Sequence, residues 1–509
     1  MNSTFTGLSI AVRGLYSSQA ALSVTTNNIS NVNTEGYTRQ TVNQSAATPA
    51  AVYNSSAIIG SGSQVNSVDQ IRDAQLDKKY WRENATVGEW ETKADGLTQL
   101  EAILGDTSEN GLSSVMDEFY SALEDLSSDP SSNSARTVVK QAGNSVCEYL
   151  NSTAQQLIDL RADVNSDIKT DVSSLNAYAE QIADLNKQIQ TASATGASVN
   201  DLMDQRNLLI DKLSNLTSIE VSEVIVGKQA DGTNNTLISI TVNGASLVTG
   251  SKARQLEVYE ISDGSSQDGL YGIRWQDTQT EFSSGGGSIQ ASLDLRDGTG
   301  VGSEYKGIPY YMSQLDEYAR TFAMAFNEGM DEAGYSGHAD GVGADGSTEI
   351  RFFSYNDLSS EEFMDSGTDT ASIYANITAG NISLTKDVQA DVNKIAAASS
   401  TGESGNNENI QDLISLCEDS SMFHTGTPED FINSVISTLA SDSSYAQRQS
   451  DSHTSILNSI TNRRSSVSGV STNEETANLT KYQQAYEASA AMVNVWDEIY
   501  KETINLVSD

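Results

Sequence analysis

Near the start of the chain, Leu8, Leu15, Leu22 and Ile29 recur every seven positions, with Val12 beside them and mostly polar or small residues between. A seven-residue apolar repeat predicts an amphipathic helix with a narrow seam, of the kind that packs against another helix. The far end carries the same pattern. Leu479, Tyr486, Val493, Tyr500 and Val507 lie seven apart, with Met492, Ile499 and Leu506 on one flank and Tyr482 and Trp496 on the other. Short helices of this kind are marginal in isolation. The expectation is that both termini order fully only when many copies pack together.

Between them the periodicity changes twice. After Asp129-Pro130, an N-cap followed by a proline suited to a first helical position, only Gly143 breaks the run to Gly196. Ile168, Leu175, Ile182 and Ile189, with Tyr178 and Leu185, continue a seven-residue repeat. A very long helix is predicted, with Gly143 as the one place for an interruption, and then a second helix from Asn200 to Leu216. Near Ile219 the period drops to two: Ile238, Ile240 and Val242 alternate with Ser239 and Thr241, and Asn243-Gly244 is a hairpin turn. Leu256 and Val258, Ile273 and Trp275, then Ile289, Leu293 and Leu295 read as further strands. Helix returns at "GIPYYMSQLDEYARTFAMAFNEG" behind Pro309, a short strand follows in "EIRFFSYN", and Thr427-Pro428 opens another helix.

The layout is mainly α with an inserted β-rich domain. Residues 1–70 and 465–509 are expected to form an inner domain in which the terminal helices pair in coiled-coil fashion. Residues 71–218 and 380–464 would make a long helical bundle. Residues 219–379 would make an antiparallel β outer domain, with a helical segment near 309–330.

A net charge of -40, from 29 basic and 69 acidic residues, excludes the clustered basic surface that nucleic acid requires. No run approaches the roughly 18 apolar residues of a membrane span. The N-terminus lacks the apolar stretch of a cleavable secretory signal. Cys147 and Cys417, far apart and without a CxxC, read as buried free thiols. His338, His424 and His453 have no zinc-ligand spacing. "GVGADG", at 341–346, matches GxGxxG, but a polar loop precedes it and a strand-like stretch follows, so it reads as a loop with Asp340 and Asp345 as solvated acids. No catalytic, cofactor or metal site is predicted, and an enzyme is the least favoured class.

The last unusual stretch is "TTNNISNVNTEGYTRQ". Asn27, Asn28, Asn31 and Asn33 fall within seven residues as the first helix ends, followed by Gly36 and Tyr37. Asparagine tolerates left-handed backbone and can satisfy a helix's last carbonyls, so a helix stop and hydrogen-bonded turns are expected. Together with Gln484, Ala485, Tyr486, Ala488 and Ala490 near the other end, this stretch resembles the flagellar axial proteins: rod, hook and hook-associated subunits. In those proteins an NNIxNxNTxGY motif follows the N-terminal helix, and a C-terminal QxAYxAxA helix pairs with it. "NDLMDQRNLLIDKLS", "GGGSIQASLDLRDG", "IPYYMSQLDEYARTFAMAFNEG" and "RRSSVSGVSTNEETANL" resemble, in order, segments of the hook-associated protein 1 family. Two departures are local: "GVSTNEE" lacks the usual aliphatic-Asp run before its Glu pair, and Glu35 stands where many relatives have proline.

The resemblance implies a structural subunit that self-assembles into a junction ring between hook and filament, part of an extracellular flagellum. It implies contacts with hook protein and with the next hook-associated junction protein, export through the flagellar type III apparatus, and a cytoplasmic export chaperone on the C-terminal helix. The assembly interface would comprise Leu8, Val12, Leu15, Leu22, Ile29, Asn27, Asn28, Asn31, Asn33, Gly36 and Tyr37, with Leu479, Tyr482, Tyr486, Val493, Trp496, Tyr500 and Leu506. The longer interior helices would pack within one subunit. No nucleic acid, membrane or cofactor enters this reading. The alternatives are another axial subunit, hook or rod, and a secreted coiled-coil adhesin.

Overall fold

The computed structural model describes residues 6–51, 58–105, 111–195, 197–228, 234–265, 267–330, 333–403 and 405–508. Helix α1 (Thr6–Ser30) leads into strand β1 (Gln40–Ala46), paired antiparallel with β2 (Ser63–Gln70). Helices α2 (Ala74–Leu104), α3 (Leu112–Ser128), α4 (Asn133–Ala194) and α5 (Asn200–Leu216) follow. An antiparallel sheet then runs through β3 (Ile219–Lys228), β4 (Asn234–Val242) and β5 (Ala245–Thr249) to a short edge at 252–253. A hairpin of β6 (Leu256–Glu260) and β7 (Tyr271–Trp275) stands beside it. After α6 (Gly287–Asp297) and α7 (Ile308–Glu328), a small hairpin pairs β8 (Phe353–Tyr355) with β9 (Ile382–Leu384). Helices α8 (Glu408–Ser415), α9 (Pro428–Ser468) and α10 (Thr472–Ser508) complete the described chain. The fold is mainly helical with small antiparallel sheets.

Helix α4 is the beam. Its 62 residues rise by about 90 Å at 1.5 Å each, and two hydrophobic cores are built along it. Val139 to Val164 face the first core, with α3, α7, the 352–416 region and the start of α9. Ile168, Val172, Leu175, Ala179 and Ile182 face the second, with α5 and the sheet. Gly143 does not interrupt the helix. A Cβ there would lie 2.7 Å from Phe352, so the glycine lets the aromatic ring just ahead of β8 pack against the helix backbone. Phe119, Phe322, Phe326 and Phe353 fill the same core with ring centroids 5.4–6.4 Å from Phe119.

Several expectations are corrected. Helix α4 begins three residues past Pro130, capped by the Ser132 hydroxyl on the Ala135 amide, while Asp129 closes α3. The turn between antiparallel helices needs the Asp-Pro pair more than the helix does. Ile289, Leu293 and Leu295 lie on α6, not on a strand, because the 289–293 spacing of four puts two apolar side chains on one helical face. The stretch 219–379, expected as one β-rich domain, is divided by packing. Residues 219–282 join the second core, whereas α7 and the 352–384 hairpin join the first. Asn243-Gly244 does turn β4 into β5, with φ of 45° and 79°. Thr427 caps α9 in a reciprocal box with Asp430, ahead of Pro428. "GVGADG" is a loop, and no cluster of three metal-ligating side chains occurs among the described residues. No helix among them is long and apolar enough to cross a membrane. Cys147 is a buried thiol; the Cys417 side chain lies outside those described.

His338 is fully buried, its Nε2 accepting from the Ala396 amide and its Nδ1 hydrogen-bonded to the Ile350 carbonyl. Accepting from the Ala396 amide requires an unprotonated Nε2, and burial holds the ring's pKa down at about 4, with the Ile350 bond opposing. A depressed histidine pKa means that the unfolded chain binds the proton first, so stability present above about pH 6.5 is lost as pH falls towards 4. Denaturant midpoints between pH 7.5 and 4.5 should show wild type losing about 3 kcal/mol relative to His338→Asn. Parallel curves would contradict this assignment.

A helical arm clasped at an elbow

The two terminal helices pack on each other outside both cores, and none of their residues belongs to either core. They run antiparallel in constant register. A Cβ on Gly7 would overlap the Trp496 indole, one on Gly14 would meet Ser489 Oγ at 3.0 Å, and Asn28 hydrogen-bonds Glu475. On α10 the residues turned inward are Glu475, Leu479, Tyr482, Tyr486, Ser489, Val493, Trp496 and Tyr500, alternating steps of four and three. These include every expected C-terminal seam residue except Leu506 and Val507, whose side chains lie outside the described ones.

The α1 side differs from expectation. Its closest approach to α10 uses Gly7, Gly14 and Ala21, small residues each one position ahead of a leucine, and then Asn28 ahead of Ile29. Large side chains of α10 thus enter gaps that glycine and alanine leave open. Leu8, Val12, Leu15, Leu22 and Ile29 lie on the flank, only half-buried. The other flank of α1 rests on the β1–β2 hairpin, where Ser63 Oγ bonds Ser17 Oγ at 3.2 Å. Tyr16, Met492, Val495, Ile499 and Ile504 are exposed at 65%, 52%, 50%, 44% and 67%.

At its inner end the arm is clasped. Asn27 and Asn28 belong to the last turn of α1 rather than to the turns beyond it. The Asn28 side chain, 1% exposed, donates to the Gln40 carbonyl (2.9 Å) and to Glu475 Oε2 (3.0 Å). Its Oδ1 accepts from the Gln40 amide (3.0 Å) and the Tyr37 hydroxyl (2.9 Å). Asn31 ends the helix, its amide and its Nδ2 both bonding the Asn27 carbonyl and its own carbonyl accepting from Thr34. Asn33 is exposed. Gly36, at φ 77°, takes the left-handed turn where a Cβ would sit 3.2 Å from Leu208 of α5. Arg39 then reaches across to Glu474 and Glu475, at 2.8 Å each, while its amide bonds the Ser468 carbonyl.

The body grips the same elbow. Asp204 of α5 accepts from the Thr38 amide and from Gln70 Nε2; burial pushes its carboxyl up, with the Thr38 bonds opposing. Arg464, near the end of α9, pairs with Asp77 at 2.8 Å and Asp211 at 2.9 Å and lies over the Tyr80 ring. Arg72 takes the remaining side of Asp77, and Trp81 Nε1 bonds Asp211 at 2.7 Å. Burial raises the Asp211 pKa, with the Arg464 charge opposing. These contacts join α2, α5 and α9 where the arm departs. Sequence reasoning missed Gly7, Gly14, Ala21, Arg39, Asp204 and Arg464 as arm or elbow residues.

A family model described as the flagellar hook-associated protein FlgK helical domain matches residues 97–353, and models for flagellar basal body rod proteins match 8–38 and 463–506. A flagellar hook-associated protein 1 of Bacillus subtilis is 33% identical over 99% of both chains. The chain belongs to the flagellar hook-associated protein 1 family. The Escherichia coli member is 28% identical, over 97% of this chain and 98% of that one. The flagellar hook junction protein FlgK from Burkholderia pseudomallei shares the fold, with a TM-score of 0.60 at 16% identity, covering 77% of this chain and 100% of that one. The protein is therefore a structural component of the flagellum. Rod-type models meet at the elbow: one spans α1 to Thr38, the other starts at Arg463.

Replacing Asn28 by aspartate removes the donor and sets a carboxylate against Glu475 and the Gln40 carbonyl. A buried polar network broken at one member costs on the order of 1–3 kcal/mol. Asn28→Asp should therefore speed limited proteolysis at the α9–α10 link while leaving the unfolding of the body in place. Equal cleavage rates in the two proteins would show that the clasp does not hold the arm.

Proposed function

We propose that this chain forms the junction ring between the flagellar hook and filament by polymerising through the α1–α10 arm. The observation that carries the reading is the arm's incomplete packing. Two long helices interlock large residues with small ones, yet among the described residues they bury no large apolar side chain fully, and they expose Met492, Val495 and Ile499 along one stripe. Burying such side chains contributes about 1.5–3 kcal/mol each, a gain available only against another surface. Copies of the same arm supply that surface, with Leu8, Val12, Leu15, Leu22 and Ile29 on the flank that meets a neighbour.

In this reading the residues about the asparagine turn set the angle between arm and body. The two faces of the ring meet hook protein on one side and the next hook-associated junction protein on the other. The subunit is exported through the flagellar type III apparatus, and a cytoplasmic chaperone covers the C-terminal helix until then, shielding its exposed apolar stripe. The protein works outside the cell as a contact surface rather than as a catalyst.

Electron microscopy of cells lacking the gene should show hooks without filaments, with unpolymerised flagellin in the culture medium by immunoblot. Complementation with Gly7→Ala, which drives a methyl into the Trp496 ring, should restore filaments poorly. Normal filaments in the deletion strain would overturn the reading and favour an adhesin. Loss of hooks as well would move the protein to the hook or rod.

A further inference from the structure

Basic residues are scarce on this chain, and three exposed ones stand together. Of 509 residues, 69 are acidic and 29 basic, yet no acidic residue falls between Asp451 and Glu474, in the later half of α9 and its link to α10. Helix α9 runs antiparallel to α2, with Tyr445 against Trp90, His453 hydrogen-bonded to Glu83 and Arg464 paired with Asp77. Trp90 and Lys93 of α2 and Tyr445 of α9 line one cleft, which marks one side of the helix pair. Three helical turns take about 11 residues. Counting 11 back from Trp90 and Lys93 gives Lys79 and Arg82, and counting 11 and 22 on from Tyr445 gives Ile456 and Val467. Arg463 lies four residues before Val467, on the same flank. Lys79, Arg82 and Arg463 are exposed, and none belongs to an ion pair among the described residues. Ile456 and Val467 between them are 44% and 40% exposed.

The complementary surface is on the chain itself. Asp159, Asp163 and Asp167 are exposed at steps of four on the side of α4 turned away from both cores, and none of them belongs to an ion pair among the described residues. At 1.5 Å per residue this row is about 12 Å long, and Ile456 to Val467 spans about 17 Å. Helix α9 packs on α2, α2 on α5 and α6, and these on α4, so intervening helices keep the patch and the row apart within one chain. A net charge of -40 sets copies of the chain against one another, and a polymer of it gains where opposite charges meet at short range. Three cations beside two apolar side chains are too few to follow a phosphate backbone. An apolar centre rimmed by charge suits a protein surface. Contact between unlike faces of identical subunits repeats from copy to copy and makes a ring where the rotation closes.

We propose that the Lys79, Arg82 and Arg463 patch docks onto the Asp159, Asp163 and Asp167 row of a second copy, as a body-to-body contact repeated around the assembly. The contact covers Ile456 and Val467 and is weakened by salt. It rests on the self-assembly reading for its occupant, but it uses the body rather than the arm.

The test complements cells lacking the gene with three full-length variants. One carries Lys79→Glu, Arg82→Glu and Arg463→Glu, the second carries Asp159→Lys, Asp163→Lys and Asp167→Lys, and the third carries all six. Each reversal alone should lower the number of filaments per cell roughly tenfold, because like charges then face each other across the contact. The third variant should restore most of them, since both faces have changed sign together. Wild-type filament numbers in either single reversal overturn the contact. Loss without rescue in the third variant overturns the α4 row as the occupant and points to another protein. The junction reading fails separately, through normal filaments in the uncomplemented strain. Cross-linking keeps the test open if a reversed chain is not exported. In flagella isolated from wild-type cells, a carbodiimide should couple Lys79 Nζ of one copy to the Asp159, Asp163 or Asp167 carboxylate of another, giving a dimer whose joined peptides mass spectrometry identifies. No dimer, or dimers joined only elsewhere, overturns the contact.

Discussion

Asn28 closes the joint from which the arm hangs. Its amide donates to the β1 backbone and to Glu475 of α10, and its carbonyl accepts from the same strand and from Tyr37. Only a side chain that donates and accepts at once can fill this position. Aspartate lacks the donor, and an apolar residue would strand four partners in a buried place. Through Gln40 the joint continues into the β1–β2 hairpin, through Arg39 into α10, and through Thr38 and Asp204 into α5. The asparagine-rich turn is therefore a piece of machinery for holding two helix ends at a fixed angle to a body.

Body and arm are built on different physics. The body has two conventional cores strung along α4, with aromatic packing on one side and a sheet face on the other. The arm has shape complementarity without a core: glycine and alanine on α1 let the Trp496 and Tyr482 side of α10 come close. Close approach of backbones across small residues gives dispersion contact, but it leaves outward faces apolar and wet. Stability is concentrated in the body, and the arm is left with surface to share.

Much of this could be read from residue order. The seven-residue repeats, the helix from Asn200 to Leu216, the Asn243-Gly244 turn and the Thr427-Pro428 start are local signals, set by side-chain direction and backbone preference within one element. The pairings Arg39 with Glu475 and Arg464 with Asp77 join positions hundreds of residues apart, and no local pattern encodes them. The leucine row on α1 stands out by hydropathy, while the row that meets α10 is glycine and alanine as far as Ala21. Its seven-residue spacing, Gly7, Gly14, Ala21 and Asn28, is plain once volume rather than hydropathy is followed. The division of 219–379 between two cores was hidden for the same reason: which face of α7 meets which helix is a tertiary fact.

If neighbouring copies finish the arm's interface, as proposed, a single chain holds the arm at the elbow and leaves it loose beyond. Amide hydrogen exchange on a verified monomer tests this most directly. Protection should be strong in α4 and at Asn28 to Gln40 and fall steadily outward along α1 towards Thr6 and along α10 towards Ser508, with the outer turns exchanging within seconds. Protection as high at both arm tips as in α4 would contradict it, because the arm would then be complete in a single chain.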